Sequence, residues 1–133
     1  MAALLVVTKD DGFATAAHAL AGAELTVTRA DVEDAVAVVR QDHPDIIAID
    51  ADSIHDAKSL IGALSLLTGS VVVAVAHEAW PGSEAAGALR QAGADAVLPK
   101  PSGRASPTLA GADRDAYVRW FVDLGGAARE ASR

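Results

Sequence analysis

The chain has 133 residues, 51% of them hydrophobic and few aromatic, with a formal net charge of −7. It therefore suits one α/β domain with a buried core and not a disordered segment. Such an acidic balance leaves no electrostatic footprint for nucleic acid or an anionic membrane surface, and a chain without cysteine has neither a disulfide framework nor a thiolate metal site.

The first apolar run, Ala3–Val7, meets charge at Lys9 and Asp10, too early for a signal peptide. No window reaches the roughly 18 apolar residues of a membrane span, so a cytoplasmic location is expected. Four more short runs follow: Leu25–Val27, Asp45–Ile49, Ser70–Ala76 and Ala94–Leu98. Their length and their Val and Ile content fit strands buried on both faces. Between them the spacing predicts helices. Phe13, Ala16, Ala17 and Leu20 form the first, opened by Asp10 or Asp11 and stopped by Gly22. Val32, Ala35, Val36 and Val39 form the second behind Asp31, and Leu60, Ala63, Leu64 and Leu67 the third, ending at Gly69. Ala85, Ala88 and Leu89 form the fourth, entered through Pro81-Gly82-Ser83 and closed by Gly93. A loop over 103–112 leads to a last helix, 113–128, with Tyr117, Trp120, Phe121 and Leu124 along one side.

Strict alternation predicts a single domain over residues 1–133. Its fold class is a doubly wound, five-stranded parallel sheet with five helices. In such sheets the groove lies at the carboxyl ends of the strands, where Thr8–Asp11, Asp50–Ser53, Val75–His77 and Pro99–Ser102 fall. A carboxylate at the tip of a buried strand, as at Asp50, is held in a geometry suited to attack on phosphorus. Equally, it is an ordinary polar strand end. Lys100 stands between two prolines, and a cis Lys100-Pro101 bond would aim its ammonium along the groove.

Two stretches carry a family resemblance: Pro44–Asp50, and Ala92-Gly93-Ala94-Asp95-Ala96-Val97-Leu98-Pro99-Lys100-Pro101-Ser102-Gly103. Over roughly Leu4 to Ala128 the chain resembles the receiver domains of bacterial response regulators (the CheY-like, flavodoxin-like fold), above all the receiver of the chemotaxis methylesterase CheB. The resemblance implies that Asp50 stands at the phosphoacceptor position and Lys100 at the invariant lysine. The remaining switch positions depart from the family pattern. Thr8 and Lys9 stand where an acidic pair would hold Mg²⁺, Val75 replaces the switch hydroxyl, and Val97 replaces the switch aromatic. Ser53-Ile54 replaces the family's Met-Pro.

Mg²⁺ requires oxygen ligands, and lysine supplies none. Lys9, alone or with Lys100, is expected to neutralise Asp50 in place of the ion. The competing arrangement turns Lys9 to solvent and slides Asp10 or Asp11 into the ion site as a substitute carboxylate. His18, His43, His55 and His77 lack ligand spacing, and no dinucleotide or Ser-His-Asp motif is legible.

The expected function is therefore that of a degenerate, stand-alone pseudo-receiver, without the methylesterase half. It would be a non-enzymatic signalling module, with no cofactor, in a two-component or chemotaxis pathway. The expected partner is a protein: a histidine kinase, a chemotaxis adaptor or another receiver. Trp80, Tyr117 and Trp120 are candidate anchors, and a homodimer through the fourth and fifth helices is the expected self-contact. One alternative is a regulator or phosphate sink phosphorylated on Asp50 with Mg²⁺. Another, of a different class, is a structural subunit or small-ligand sensor on the same fold.

Overall fold

Strand and helix alternate without exception in the computed structural model, which describes residues 2–77, 79, 82–99 and 119. The order is β1 (Ala2–Val7), α1 (Asp11–His18), β2 (Leu25–Ala30), α2 (Val32–Asp42), β3 (Ile46–Asp50), α3 (Ala57–Leu67), β4 (Val71–Ala76), α4 (Glu84–Ala92) and β5 (Ala96–Pro99). All strand pairs are parallel, in the spatial order β2-β1-β3-β4-β5. This is the doubly wound order in which the chain reverses direction between β1 and β3, opening a groove at their carboxyl ends. The expected helix over 113–128 lies outside the described residues, apart from Arg119, which is helical. The expected loop over 103–112 also lies outside them.

The pleat divides each central strand between two cores. On one face Leu5, Val7, Ile47, Ile49, Val72 and Ala74 meet Ala35 and Val39 of α2, Ile61 and Leu64 of α3, and Ala86 and Leu89 of α4. On the other, Leu4, Val6, Ile46, Ala48, Val73 and Val75 share a cluster with Ala17 and Leu20 from the α1 side. β3 is buried at every position, as expected of a central strand covered on both faces.

Two strand entrances use the same device. Asp45, just before β3, accepts from the Ala3 N–H at 2.8 Å, and Asp95, just before β5, accepts from the Val72 N–H at 2.9 Å. Each carboxylate supplies the neighbouring strand with an acceptor that the ladder does not yet reach.

Several boundaries differ from the sequence expectation. β2 runs to Ala30, beyond the expected Val27, because an edge strand needs no apolar residues at Thr26, Thr28 or Arg29. α1 ends at His18, and Leu20 and Ala21 turn back with bonds to Ala17 and His18 well before Gly22. In α3 the buried residues are Ala57, Ile61 and Leu64, whereas Ala63 and Leu67, expected on the core face, are exposed. α3 has apolar residues on every side, so spacing alone does not fix its phase.

Candidate functional site

Three strand ends define the site. Residues two apart on a strand share a face, so Thr8 continues the row of Leu4 and Val6. Asp50 continues that of Ile46 and Ala48, and Val75 lies opposite Asp50 in the β3–β4 register. Thr8, Asp50 and Val75 therefore stand side by side across β1, β3 and β4, on the face that carries α1. All three are buried, Thr8 and Asp50 completely, at 0% exposure.

The Thr8 hydroxyl donates to Asp50 Oδ2 at 2.7 Å. Its oxygen also receives the Asp10 N–H at 3.0 Å and lies 3.2 Å from Ser53 Oγ. Ser53 Oγ accepts from the Lys9 N–H at 3.0 Å. The one Thr8 proton goes to Asp50, so Ser53 must give its own proton to Thr8. The donors then point one way along a relay, from Lys9 N–H through Ser53 and Thr8 to the Asp50 carboxylate. Each link polarises the next. Asp50 Oδ1 accepts from the Asp52 N–H at 3.2 Å, and Asp52 Oδ2 accepts from the His77 N–H at 2.7 Å. His77 Nε2 lies 3.9 Å from the same oxygen. The loops after β1, β3 and β4 are thus stitched together through side chains.

The structure places several of the sequence-derived candidates. Lys9 is exposed and takes part through its backbone N–H; among the described residues its ammonium pairs with no carboxylate, Asp50 included. The expected Lys9–Asp50 neutralisation is therefore not formed, and a hydroxyl stands where the amine was expected. Asp10 has not moved into an ion site. It is the N-cap of α1, and its Oδ1 accepts from the Gly12 and Phe13 N–H groups at 3.0 and 3.2 Å. Asp11 turns the other way, to Arg29 Nη1 at 2.9 Å, while Arg29 Nη2 donates to the Thr8 carbonyl at 3.2 Å. Val75 is sealed in the core, and Val97 packs from β5 against the opposite core, with neither hydroxyl nor ring. Lys100, Trp80, Tyr117 and Trp120 lie outside the described residues.

This donor set does not suit Mg²⁺. The ion needs several oxygen ligands in octahedral order. Here the hydroxyl nearest Asp50 already donates to it, and the carboxylates of Asp10 and Asp11 are engaged in a helix cap and an ion pair. Among the described residues no group of three or more His, Asp or Glu side chains could hold a metal ion. The sequence signal for Thr8 was its place after β1; its role as a donor depends on the β1–β3 register, which spacing does not report. Ser53, Asp52 and His77 gave no signal as a connected set.

A second concavity, about 450 Å³, opens between the end of β2 and the start of α2, lined by Asp11, Arg29, Ala30, Asp31, Asp34 and Val38. Its one cation is already paired with Asp11.

No protein-family model matches the chain, and no curated protein matches its sequence. Solved structures do match. The response-regulator domain of Thermotoga maritima CheB superposes with a TM-score of 0.75 over 92% of this chain and 97% of that one, at 17% identity. The chain has the fold of a response-regulator receiver domain. CheY6 from R. sphaeroides, solved in complex with the P1 domain of CheA3, gives a TM-score of 0.69 at 20% identity, covering 92% of this chain and 97% of that one. A Burkholderia thailandensis protein named for pilus assembly (CpaE) gives 0.61 at 25% identity, covering 90% and 97%. Identities at this level leave the chemistry to be read from the residues. Among the described residues no helix is long and apolar enough to cross a membrane.

Proposed function

We propose that this chain is a non-enzymatic receiver-fold module of two-component or chemotaxis signalling that acts by contact with another protein. In this reading Asp50 is not phosphorylated by the Mg²⁺-dependent route, and the module has no resident cofactor and works in the cytoplasm. One observation carries the proposal: the buried Thr8 hydroxyl donates to buried Asp50 at 2.7 Å, at the place where a receiver's metal-binding carboxylate would stand. Phosphoryl transfer needs strong stabilisation of developing negative charge, and a hydroxyl is a poor substitute for a divalent ion. Val75 and Val97 also lack the groups that would report a phosphoryl on Asp50.

Protein contact is favoured as the output because a receiver of this fold has been solved bound to the P1 domain of a CheA protein. The net charge of −7 selects a partner with a basic contact patch. A phosphate-sink role would require Asp10 or Asp11 to leave its cap or ion pair. A small-ligand sensor would have to use the acidic concavity beside Arg29, whose guanidinium is already engaged.

The test is amide NMR of labelled protein during addition of Mg²⁺ and then beryllofluoride. We expect no shift around Asp50 at millimolar Mg²⁺ and none on adding the phosphoryl mimic. Saturable shifts that begin at Asp50 and reach α4 would overturn the proposal and establish a working acceptor.

A further inference from the structure

Leu25, Val27 and Arg29 form one row on the face of β2 that carries α1, since Leu25 and Val27 pack there with Leu4 and Val6. The row is apolar until its last member. Arg29 stands beside Val6 in the β1–β2 register, so its long side chain reaches past the end of β1 to the turn into α1. There the guanidinium makes two bonds at once. Nη1 meets Asp11 Oδ1 at 2.9 Å, and Nη2 donates to the Thr8 carbonyl at 3.2 Å. The two differ in setting. The Asp11 side chain is 91% exposed, so that ion pair is weak and screened by salt, whereas the bond to Thr8 is partly buried.

The Thr8 carbonyl belongs to the same peptide unit as the Lys9 N–H. In a trans peptide these two groups point in opposite directions. Arg29 of β2 holds one end, and Ser53 Oγ, from the loop after β3, holds the other. Ser53 also lies 3.2 Å from the Thr8 hydroxyl that donates to Asp50. Rotation of this one peptide plane would break both bonds together.

We propose that the Thr8–Lys9 peptide is a crossbar coupling the concavity beside α2 to the Asp50 groove, with Arg29 as the positioning residue at its far end. While Arg29 holds the carbonyl, the Lys9 N–H faces Ser53 and the relay onto Asp50 is complete. When the guanidinium leaves, the peptide is free to turn, Ser53 loses its donor, and the relay through Thr8 is broken. A coupling of this kind is reciprocal, so an event that draws Thr8 away from Asp50 also loosens Arg29 in the concavity. The task suits arginine, whose planar fork bonds two acceptors at once, where a lysine offers a single nitrogen. This coupling rests on the same Thr8–Asp50 bond as the proposed function, but not on the fate of a phosphoryl group at Asp50.

Labelled wild type, Arg29→Met and Asp11→Asn test it, through hydrogen exchange of the Lys9 amide and the carbon-13 resonance of the Asp50 carboxylate. Methionine keeps the apolar stem at an exposed strand end, and the amides of Ile47, Ala48 and Ile49 report whether the sheet is intact. In Arg29→Met the Lys9 amide should exchange at least tenfold faster and the Asp50 resonance should move, with those β3 amides unchanged. Asp11→Asn keeps the bond to Thr8, so it should change Lys9 exchange less than about threefold and leave the Asp50 resonance in place. A Lys9 amide or an Asp50 resonance indifferent to Arg29→Met would overturn the coupling. Equal effects of the two substitutions, or loss of protection throughout β3, would overturn it as well. Saturable shifts with Mg²⁺ and beryllofluoride would instead overturn the proposed function and leave these outcomes as they stand.

Discussion

At the scale of single residues, the chemistry around Asp50 is a matter of which strand carries the hydroxyl. A receiver's switch hydroxyl would stand on β4, but Val75 occupies that place. The hydroxyl bonded to Asp50 comes instead from Thr8 on β1, on the other side of the carboxylate. A hydroxyl held at 2.7 Å in the core lowers the cost of burying a carboxylate, which is high without a donor. Thr8→Val keeps the shape and removes that donor. We expect it to destabilise the fold by about 1–3 kcal/mol, seen as a lower urea midpoint with an unchanged slope. A loss near zero would mean that Thr8 contributes shape alone.

At the scale of elements, the sequence was most informative where one side chain answers one backbone need. Asp10 (beside Asp11), Asp31 and Ser83 were legible as helix openers and stand at three of the four described N-caps, although Asp31 makes no side-chain capping bond; the fourth, Asp56 of α3, was not legible. Gly93 was legible as a stop, for a reason the structure makes specific. Its φ is 127°, in the region that favours glycine, and a Cβ there would lie 2.5 Å from Ser65 Oγ of α3. Gly93→Ala therefore strains the backbone and pushes α3 away from the turn into β5. A loss of about 1–3 kcal/mol is expected, and thermal unfolding would measure it. Partial recovery in a Gly93→Ala, Ser65→Ala double variant would separate the clash from the backbone strain. The phase of α3 and the length of β2 were not legible. Leucine and alanine on every side of α3 fit any orientation, and an edge strand written Thr-Val-Thr-Arg does not look like its buried neighbours.

At the scale of the whole molecule, alternation and run length were enough to reach the doubly wound sheet, because every buried parallel strand here is a near-continuous apolar run. The resemblance to receiver domains, and not the alternation, is what marks Thr8, Lys9, Val75 and Val97 as substituted switch positions. What replaced the missing parts was not readable. A threonine, a serine, an aspartate and a histidine backbone form one connected set only after β1, β3 and β4 are laid side by side. Lys9 looked like the natural partner of Asp50 by charge, yet only its backbone reaches the cluster, through Ser53.

The stitching of the three loops bears on how the groove opens. Loops that carry function are usually drawn from the least stable parts of a fold. Here the amide hydrogens of Lys9, Asp10, Asp52 and His77 are each held by a side-chain oxygen of the same cluster. The Lys9 and His77 amides are held across loops, by Ser53 and Asp52, and those of Asp10 and Asp52 by Thr8 and Asp50 in their own loops, which the same cluster fixes. Their exchange should therefore be slow and concerted, and in Thr8→Val the amides of Lys9 and Asp10 should be released together while those in the middle of β3 stay protected. The rim of the sheet would then open as one cooperative unit, and exchange of these four amides at unrelated rates would count against that coupling.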